Sequence, residues 1–202
     1  EECFELVRAY EETGIHCMML ENCCYDFFEL TCLNMAQQGL FGEVIHAQGA
    51  YIHNLEPFWA HYQGNWRLDF NQKHAGDVYA THGLGPVCQV LDIHRGDKME
   101  YLVSMSTPSY NGKKIAEEMM GTEDFANGDM TSTLIKTNKG KTILIQHNVY
   151  TPRPYDRLYQ LTGTEGFANK YPYQGFTLKE ENVPSDVIPD HEKLDEHGFV
   201  SN

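Results

Sequence analysis

A chain of 202 residues and 23.1 kDa is long enough for one sizeable hydrophobic core and marginal for two. Lys and Arg number 15 against 29 Asp and Glu, and the resulting net charge of −14 repels phosphate backbones, arguing against a nucleic-acid partner. No run approaches the roughly 18 apolar residues of a membrane span, the first residues lack the basic-then-apolar order of a signal peptide, and a 41% apolar content describes a folded domain rather than disorder.

Residues 1–13 read as an amphipathic helix, with Phe4, Leu6, Val7 and Tyr10 near helical spacing and Gly14 as its stop. The apolar run Ile15–Leu20 reads as a short buried strand with Glu21-Asn22 at its carboxyl end, and Tyr25–Gln38 as a second helix ended by Gly39. Helix, strand, helix is the rhythm of a parallel α/β sheet, in which ligands sit beyond the carboxyl ends of strands. From Gly42 the pattern changes. Glu43–Tyr51 alternates like a strand, Pro57–Phe70 is irregular and aromatic, and Gly83–Ile93 carries Leu84, Val87, Val90 and Leu91 at helical spacing. Met99–Thr107 reads as a strand and Tyr110–Gly128 as a mobile excursion. Met130–Thr137 and Lys141–Tyr150 flank Asn138-Lys139-Gly140, the strongest hairpin signal in the chain. Tyr159–Thr162 and Gly166–Asn169 flank a Gly-Thr-Glu-Gly turn as another strand pair, and from Lys179 the chain is a polar, acidic tail. The expected fold class is α+β, a large and mostly antiparallel sheet with helices on one face.

Twelve Tyr and ten Phe invite a sugar ligand, because a ring face covers C–H bonds while a phenol hydrogen-bonds a hydroxyl. The six cysteines, at 3, 17, 23, 24, 32 and 88, form no C-x-x-C pair and are expected to be buried small thiols. The ten histidines include no H-E-x-x-H, and no dedicated metal site is expected. Glu21, Asp69, Asp77 and Asp92 are the carboxylates to test as an acid/base pair, but nothing in their spacing sets two on one wall, so solvated or capping roles are expected. No G-x-S-x-G elbow supports a serine triad.

The informative segment is Ala75–Pro86, where two glycines and a proline follow His82 at the entry to a helix. Tyr79 and His82 lie three apart and reach one pocket if the stretch opens a helical turn. Together they offer a proton donor and a base with an ordinary pKa near neutrality, although a structural His82 that satisfies the loop is equally consistent. Tyr51 at a strand end, Arg67 in the aromatic loop, and Tyr155 between prolines 152 and 154 and Arg157 are the next groups able to converge there. Partly buried packing for the tyrosines and a surface ion pair for Arg67 are the plain alternatives.

At these positions the chain resembles the glycoside hydrolase family 109 α-N-acetylgalactosaminidases, a branch of the glucose–fructose oxidoreductase and inositol dehydrogenase superfamily. The matching stretches are Met18–Tyr25, Leu33–Met35, Phe41–His46, Gly64–Arg67, Tyr79–Pro86 and Pro152–Tyr155. Thr81 and Gly85 stand where the wider oxidoreductases carry an Asp and a His, which argues against an ordinary sugar dehydrogenase. The resemblance implies that residues 1–25 are the tail end of a truncated dinucleotide-binding (Rossmann) domain, its last helix and strand. It implies that residues 26–202 are the substrate-binding and catalytic domain, with a sheet like that of the oxidoreductase C-terminal domains. NAD is the implied cofactor, held mainly by a domain not in this chain. The implied chemistry oxidises C3 of the sugar, removes the acidified C2 proton as the glycosidic oxygen leaves, adds water, and reduces C3 again. Carried over by position, Tyr79 and His82 are the catalytic pair, Tyr51, Arg67, Tyr79, His82 and Tyr155 bind substrate, and Asn22 and Tyr79 touch the cofactor. The implied partners are a glycan or small sugar and a second copy of the chain through the open sheet face, with no nucleic acid and no membrane. The implied location is periplasmic or exported, with a cytoplasmic one open. A dehydrogenase or epimerase of the wider superfamily, or a non-catalytic carbohydrate-binding or oligomerisation piece, are the alternatives.

Overall fold

The computed structural model describes residues 2–59, 66–172 and 174–179. Among them are five helices: α1 Glu2–Thr13, α2 Phe27–Gln37, α3 Trp66–Lys73, α4 Thr81–Val90 and α5 Asn111–Met120. The strands are β1 Val44–Ile52, β2 Met99–Ser106, β3 Thr131–Thr137, β4 Thr142–Asn148, β5 Tyr159–Gly163, β6 Gly166–Asn169 and β7 Gly175–Leu178. Short 3₁₀ turns lie at Asn22–Tyr25 and Glu56–Phe58. All seven strands join one sheet in the order β2-β3-β4-β1-β5-β6-β7. It is antiparallel except for the central pair β1–β4, which runs parallel and sets Tyr51 beside His147.

Alternation along the strands separates two faces. Ala47, Ile135, Ile143, Ile145 and Leu161 point to the helical side and pack with Phe28 and Cys32 of α2 and Val87 of α4. Each large apolar side chain buried there contributes about 1.5–3 kcal/mol. A second cluster around Trp59, Leu68, Ile115, Phe125 and Tyr150 joins α3 and α5 to the chain after β4. The opposite face has no helix on it among the described residues. It carries exposed Tyr101, Val103, Met105 and Leu134 together with a polar ladder in which Gln48 donates to Gln160 and Gln160 to Asn169.

Several elements differ from the sequence reading. Ile15–Leu20 is no strand: the segment is irregular and exposed, and none of the seven strands pairs with it, so its backbone groups have no ladder to join. Tyr110–Gly128 is ordered rather than a mobile excursion. Asp129 accepts the N–H groups of Tyr110, Asn111 and Gly112, capping α5 from a distant strand end, while Ile115 and Phe125 are buried. The aromatic loop resolves in part into α3, and β7 was not anticipated. Cys23, Cys24 and Cys32 are buried as expected, but Cys3 and Cys17 are exposed because the segment that bears them packs on nothing among the described residues. The acidic tail lies outside the described residues after Lys179.

Candidate active site

Close backbone approach builds the site. Helix α4 crosses β1 where glycine faces glycine: a Cβ on Gly83 would meet Ala50 N and Gly49 C at 2.7 Å, and one on Gly49 would strike the Gly83 backbone. Gly85, one step along, has Cys24 Sγ 2.8 Å and Glu21 Cγ 3.3 Å from where its Cβ would be. The first contact seats the start of α4 on β1 and the second seats the Asn22–Tyr25 turn on α4. Both depend on residues with no side chain. The turn before α4 is shaped by Asp77, whose Oδ1 accepts the Tyr79 N–H at 3.0 Å.

The outcome is a triangle of rings. Centroids of Tyr51 and Tyr79 are 4.7 Å apart, Tyr51 and His82 4.9 Å, and Tyr79 and His82 4.4 Å. Behind the imidazole stands Glu21, with Oε1 2.9 Å from His82 Nδ1 and both side chains nearly buried. The contact is close without the alignment of a hydrogen bond, so it acts chiefly as charge beside the ring. Burial lowers the His82 pKa and the Glu21 carboxylate raises it, with burial prevailing. The imidazole is therefore neutral at pH 7, and a carboxylate at Nδ1 favours the proton there, leaving Nε2 as the basic nitrogen. A cavity of about 360 Å³, counting its open mouth, adjoins the triangle and is lined by Tyr51, Tyr79, Arg67 and His147 among others. The Arg67 guanidinium lies 4.6 Å from the Trp66 ring centre and 6.0 Å from that of Tyr79.

Of the residues singled out in the sequence, Tyr51, Arg67, Tyr79 and His82 come together. Tyr155 stands one ring further out: its centroid is 4.9 Å from that of His53, whose Nδ1 is 3.4 Å from the Tyr51 hydroxyl. Asn22 is exposed on the turn beside Glu21. The candidate carboxylates do not pair with one another. Asp69 and Asp92 are exposed, and Asp77, pushed up to about 6 by burial, shapes its turn. Glu21 stands at the N-cap of the Asn22–Tyr25 turn, but its side chain neither caps that turn nor faces solvent, a correction that rests on its contact with His82. His147 and His53 were missed, because only the parallel β1–β4 pairing and the loop after β1 bring them beside Tyr51.

Among the described residues, Glu21, Cys23 and His82 form one cluster with the donor types and spacing of a metal site. Arg157 Nη1 lies 3.4 Å from Cys23 Sγ, and a guanidinium there opposes a bound cation. The donors fit the nicotinamide end of NAD better. Asn22 carries an exposed amide, Tyr79 a phenol, and His82 a neutral imidazole, which are uncharged partners and flat ring faces suited to an aromatic carboxamide. No G-x-G-x-x-G phosphate-binding motif occurs in the sequence.

Comparison with known proteins agrees with this reading of the fold. The structure is similar to an NAD-binding oxidoreductase from Klebsiella pneumoniae, with TM-score 0.60, 16% identity, and coverage of 82% of this chain and 42% of that one. It is also similar to myo-inositol 2-dehydrogenase from Lactobacillus plantarum, with TM-score 0.52, 10% identity, and coverage of 74% and 40%. These likenesses define the fold class alone, an α+β domain of the kind found in these oxidoreductase chains. The family model for the glycosyl hydrolase 109 C-terminal domain matches residues 25–192, and the chain belongs to that family. It is 61% identical over 202 residues to glycosyl hydrolase family 109 protein 1 of Bacteroides fragilis, covering 99% of this chain and 44% of the relative. It is 61% identical over 203 residues to the family 109 protein of Porphyromonas gingivalis, covering 100% and 43%. The chain therefore spans less than half the length of these relatives.

Proposed function

We propose that this chain forms the substrate side of an NAD-dependent glycosidase that removes α-linked N-acetylgalactosamine. The observation that carries the proposal is the Tyr51–Tyr79–His82 triangle, backed by Glu21, with its two tyrosines lining a cavity shared with Arg67, in a chain of a glycoside hydrolase family. NAD, when bound, supplies the reversible oxidation of C3 of the sugar. A ketone at C3 acidifies the C2 proton, so the glycosidic oxygen leaves C1 by elimination and water adds to the unsaturated ketone. That route needs bases at O3 and C2 and no carboxylate pair flanking C1, which suits a site whose nearest carboxylate faces an imidazole.

Each residue has work of its own in this scheme. His82 and Tyr79 exchange protons with the O3 hydroxyl, the C2–H and the leaving oxygen. The neutral imidazole serves as base and the phenol as donor. Glu21 keeps the His82 tautomer and stabilises its charged form. Tyr51 covers a sugar face, Arg67 hydrogen-bonds hydroxyls from the cavity rim, and Tyr155 closes the outer edge. Asn22 contacts the cofactor.

The test uses the full-length protein with a chromogenic α-N-acetylgalactosaminide. Hydrolysis without net NADH supports the proposal, while stoichiometric NADH formed as free sugar is oxidised to a keto sugar would make the protein a dehydrogenase. His82→Ala is expected to keep NAD bound and lower turnover by about 10²–10⁴. Wild-type turnover would remove His82 from the mechanism.

A further inference from the structure

Helix α3 carries a stripe of flat rings that the scheme above leaves unused. Trp66 and Phe70 lie four residues apart, so both project from one face of the helix. The helical hydrogen bond from the His74 N–H to the Phe70 carbonyl continues that spacing to a third ring. The His74 imidazole stacks on Phe70 at 4.0 Å and 18°, bracing one side of it, and the Arg67 guanidinium lies 4.6 Å from the Trp66 ring centre. Trp66 is nevertheless 58% exposed and Phe70 40%. Four residues of helix rise about 6 Å, close to the width of one pyranose ring.

These two rings mark the mouth of the cavity beside Tyr51 and Tyr79. Among the residues that line it, Trp66 and Phe70 are the exposed ones. Its inner end is closed by buried Leu55, Trp59, Val149 and His147, whose Nδ1 has no hydrogen-bond partner among the described residues. The helix is firmly held. On its buried side Leu68 packs into the core, and Asn71 donates from Nδ2 to the Arg67 carbonyl and accepts at Oδ1 from Asn127 and the Tyr150 hydroxyl. Rings presented in this way are ordered before a ligand arrives, which lowers the cost of binding one. A terminal sugar against Tyr51 and Tyr79 sends the rest of its chain out through this mouth, and an aromatic face suits the C–H face of a further sugar. A peptide carrier is met chiefly by main-chain hydrogen bonds along a free strand edge, whereas the strands behind the cavity, β1 and β4, are interior members of the sheet.

We infer that Trp66 and Phe70 form a subsite for the sugar residue on the far side of the cleaved bond, so that the protein takes its terminal sugar from an oligosaccharide. The inference rests on the glycosidase reading above and deepens it by naming the class of leaving group, a second pyranose stacked on the α3 rings. Neither ring takes part in proton transfer.

The experiment uses the full-length protein with NAD, in a His82→Ala background expected to bind substrate without turnover; should that variant still turn over, kcat/KM is compared in the same way. Calorimetric titration compares the methyl α-glycoside of N-acetylgalactosamine, a disaccharide with the same sugar α-linked to galactose, and a short peptide bearing it on threonine. The disaccharide is expected to bind about fivefold tighter than the methyl glycoside, the worth of one stacked ring pair, and the glycopeptide no tighter than the methyl glycoside. Trp66→Leu with Phe70→Leu keeps both positions apolar and removes the flat faces. It is expected to bring the disaccharide to within about twofold of the methyl glycoside, and the single variants, which fall between, cover the case in which the double one does not fold. Each comparison is a ratio within one protein, so a general loss from a shifted Arg67 cancels. Equal binding of disaccharide and methyl glycoside would overturn the subsite. So would a preference unchanged in the variants, the outcome expected if another domain covers the rings, or a glycopeptide bound tighter than the disaccharide. The two readings separate cleanly. A ring-dependent preference in a protein whose wild type hydrolyses no α-N-acetylgalactosaminide retires the hydrolase and keeps the subsite, and hydrolysis without preference does the reverse.

Discussion

The ammonium of Lys170, just after β6, lies 2.7 Å from Asp26 Oδ2 and 2.7 and 2.8 Å from the two Glu29 oxygens. Its side chain is 7% exposed and that of Glu29 only 3%, so two opposite charges share a site almost free of water. Replacing Lys170 with Met keeps the aliphatic stem but strands a buried carboxylate, which costs about 3–5 kcal/mol. Set against the roughly 5–15 kcal/mol that holds a domain of this kind together, that is a large fraction. At about 2–4 °C per kcal/mol for a domain of this size, the melting temperature should drop by about 6–20 °C. The double variant Lys170→Met, Glu29→Met should return to within about 1 kcal/mol of the parent, since an apolar pair also escapes the desolvation cost. Urea unfolding at pH 7, followed by circular dichroism, reads all three proteins. A single variant within about 1 kcal/mol of the parent would refute the reasoning, and so would a double variant as unstable as the single one. There is an acid-side signature too. The Lys170 hydrogen bond holds the folded pKa of Asp26 below its ordinary value. That contribution is present above the unfolded pKa and is lost as pH falls through the folded one, so in Lys170→Met the loss on acidification should flatten. The cluster also bears on the site, because Arg157 bridges Asp26 and Cys23 and so ties the turn that follows Glu21 to the sheet.

Three further outcomes are expected. In Glu21→Gln, the group that raises the His82 pKa is gone and burial acts unopposed, so the limb of the pH–kcat/KM profile that reports His82 should move to lower pH; a limb that stays put would separate Glu21 from His82. Gly83→Ala places a methyl 2.7 Å from the β1 backbone and should cost about 1–3 kcal/mol by thermal melting, while moving His82 off Tyr51; an unchanged melt would mean that the crossing has slack. The open sheet face, with Tyr101, Val103, Met105 and Leu134 exposed, is proposed to pair with a second copy. Light scattering should then show a dimer or larger assembly that Val103→Lys with Leu134→Lys returns to monomer, and a monomeric parent would dispose of that interface.

Local pattern carried much of the architecture. Alternation marked β1 to β4, Asn138-Lys139-Gly140 marked the β3–β4 hairpin, and 3.6-residue spacing marked α1, α2 and α4, because backbone geometry imposes those periods whatever the surroundings. The same logic misread Ile15–Leu20, where an apolar run has strand composition but no partner, and residues 110–128, whose helix is capped by Asp129 from another element. Tyr79 and His82 could be picked out from the sequence because three residues on a turn stay neighbours in any fold. Tyr51 could be named as able to join them, but the contacts with Glu21 and His147 could not, since they span tens of residues and exist only because β1 lies parallel to β4 and glycines let α4 touch both β1 and the Glu21 turn. Composition and spacing are properties of the chain taken one window at a time. Burial, the neutral state of His82 and the orphaned nitrogen of His147 arise from what distant residues exclude from water, and only the tertiary structure decides that.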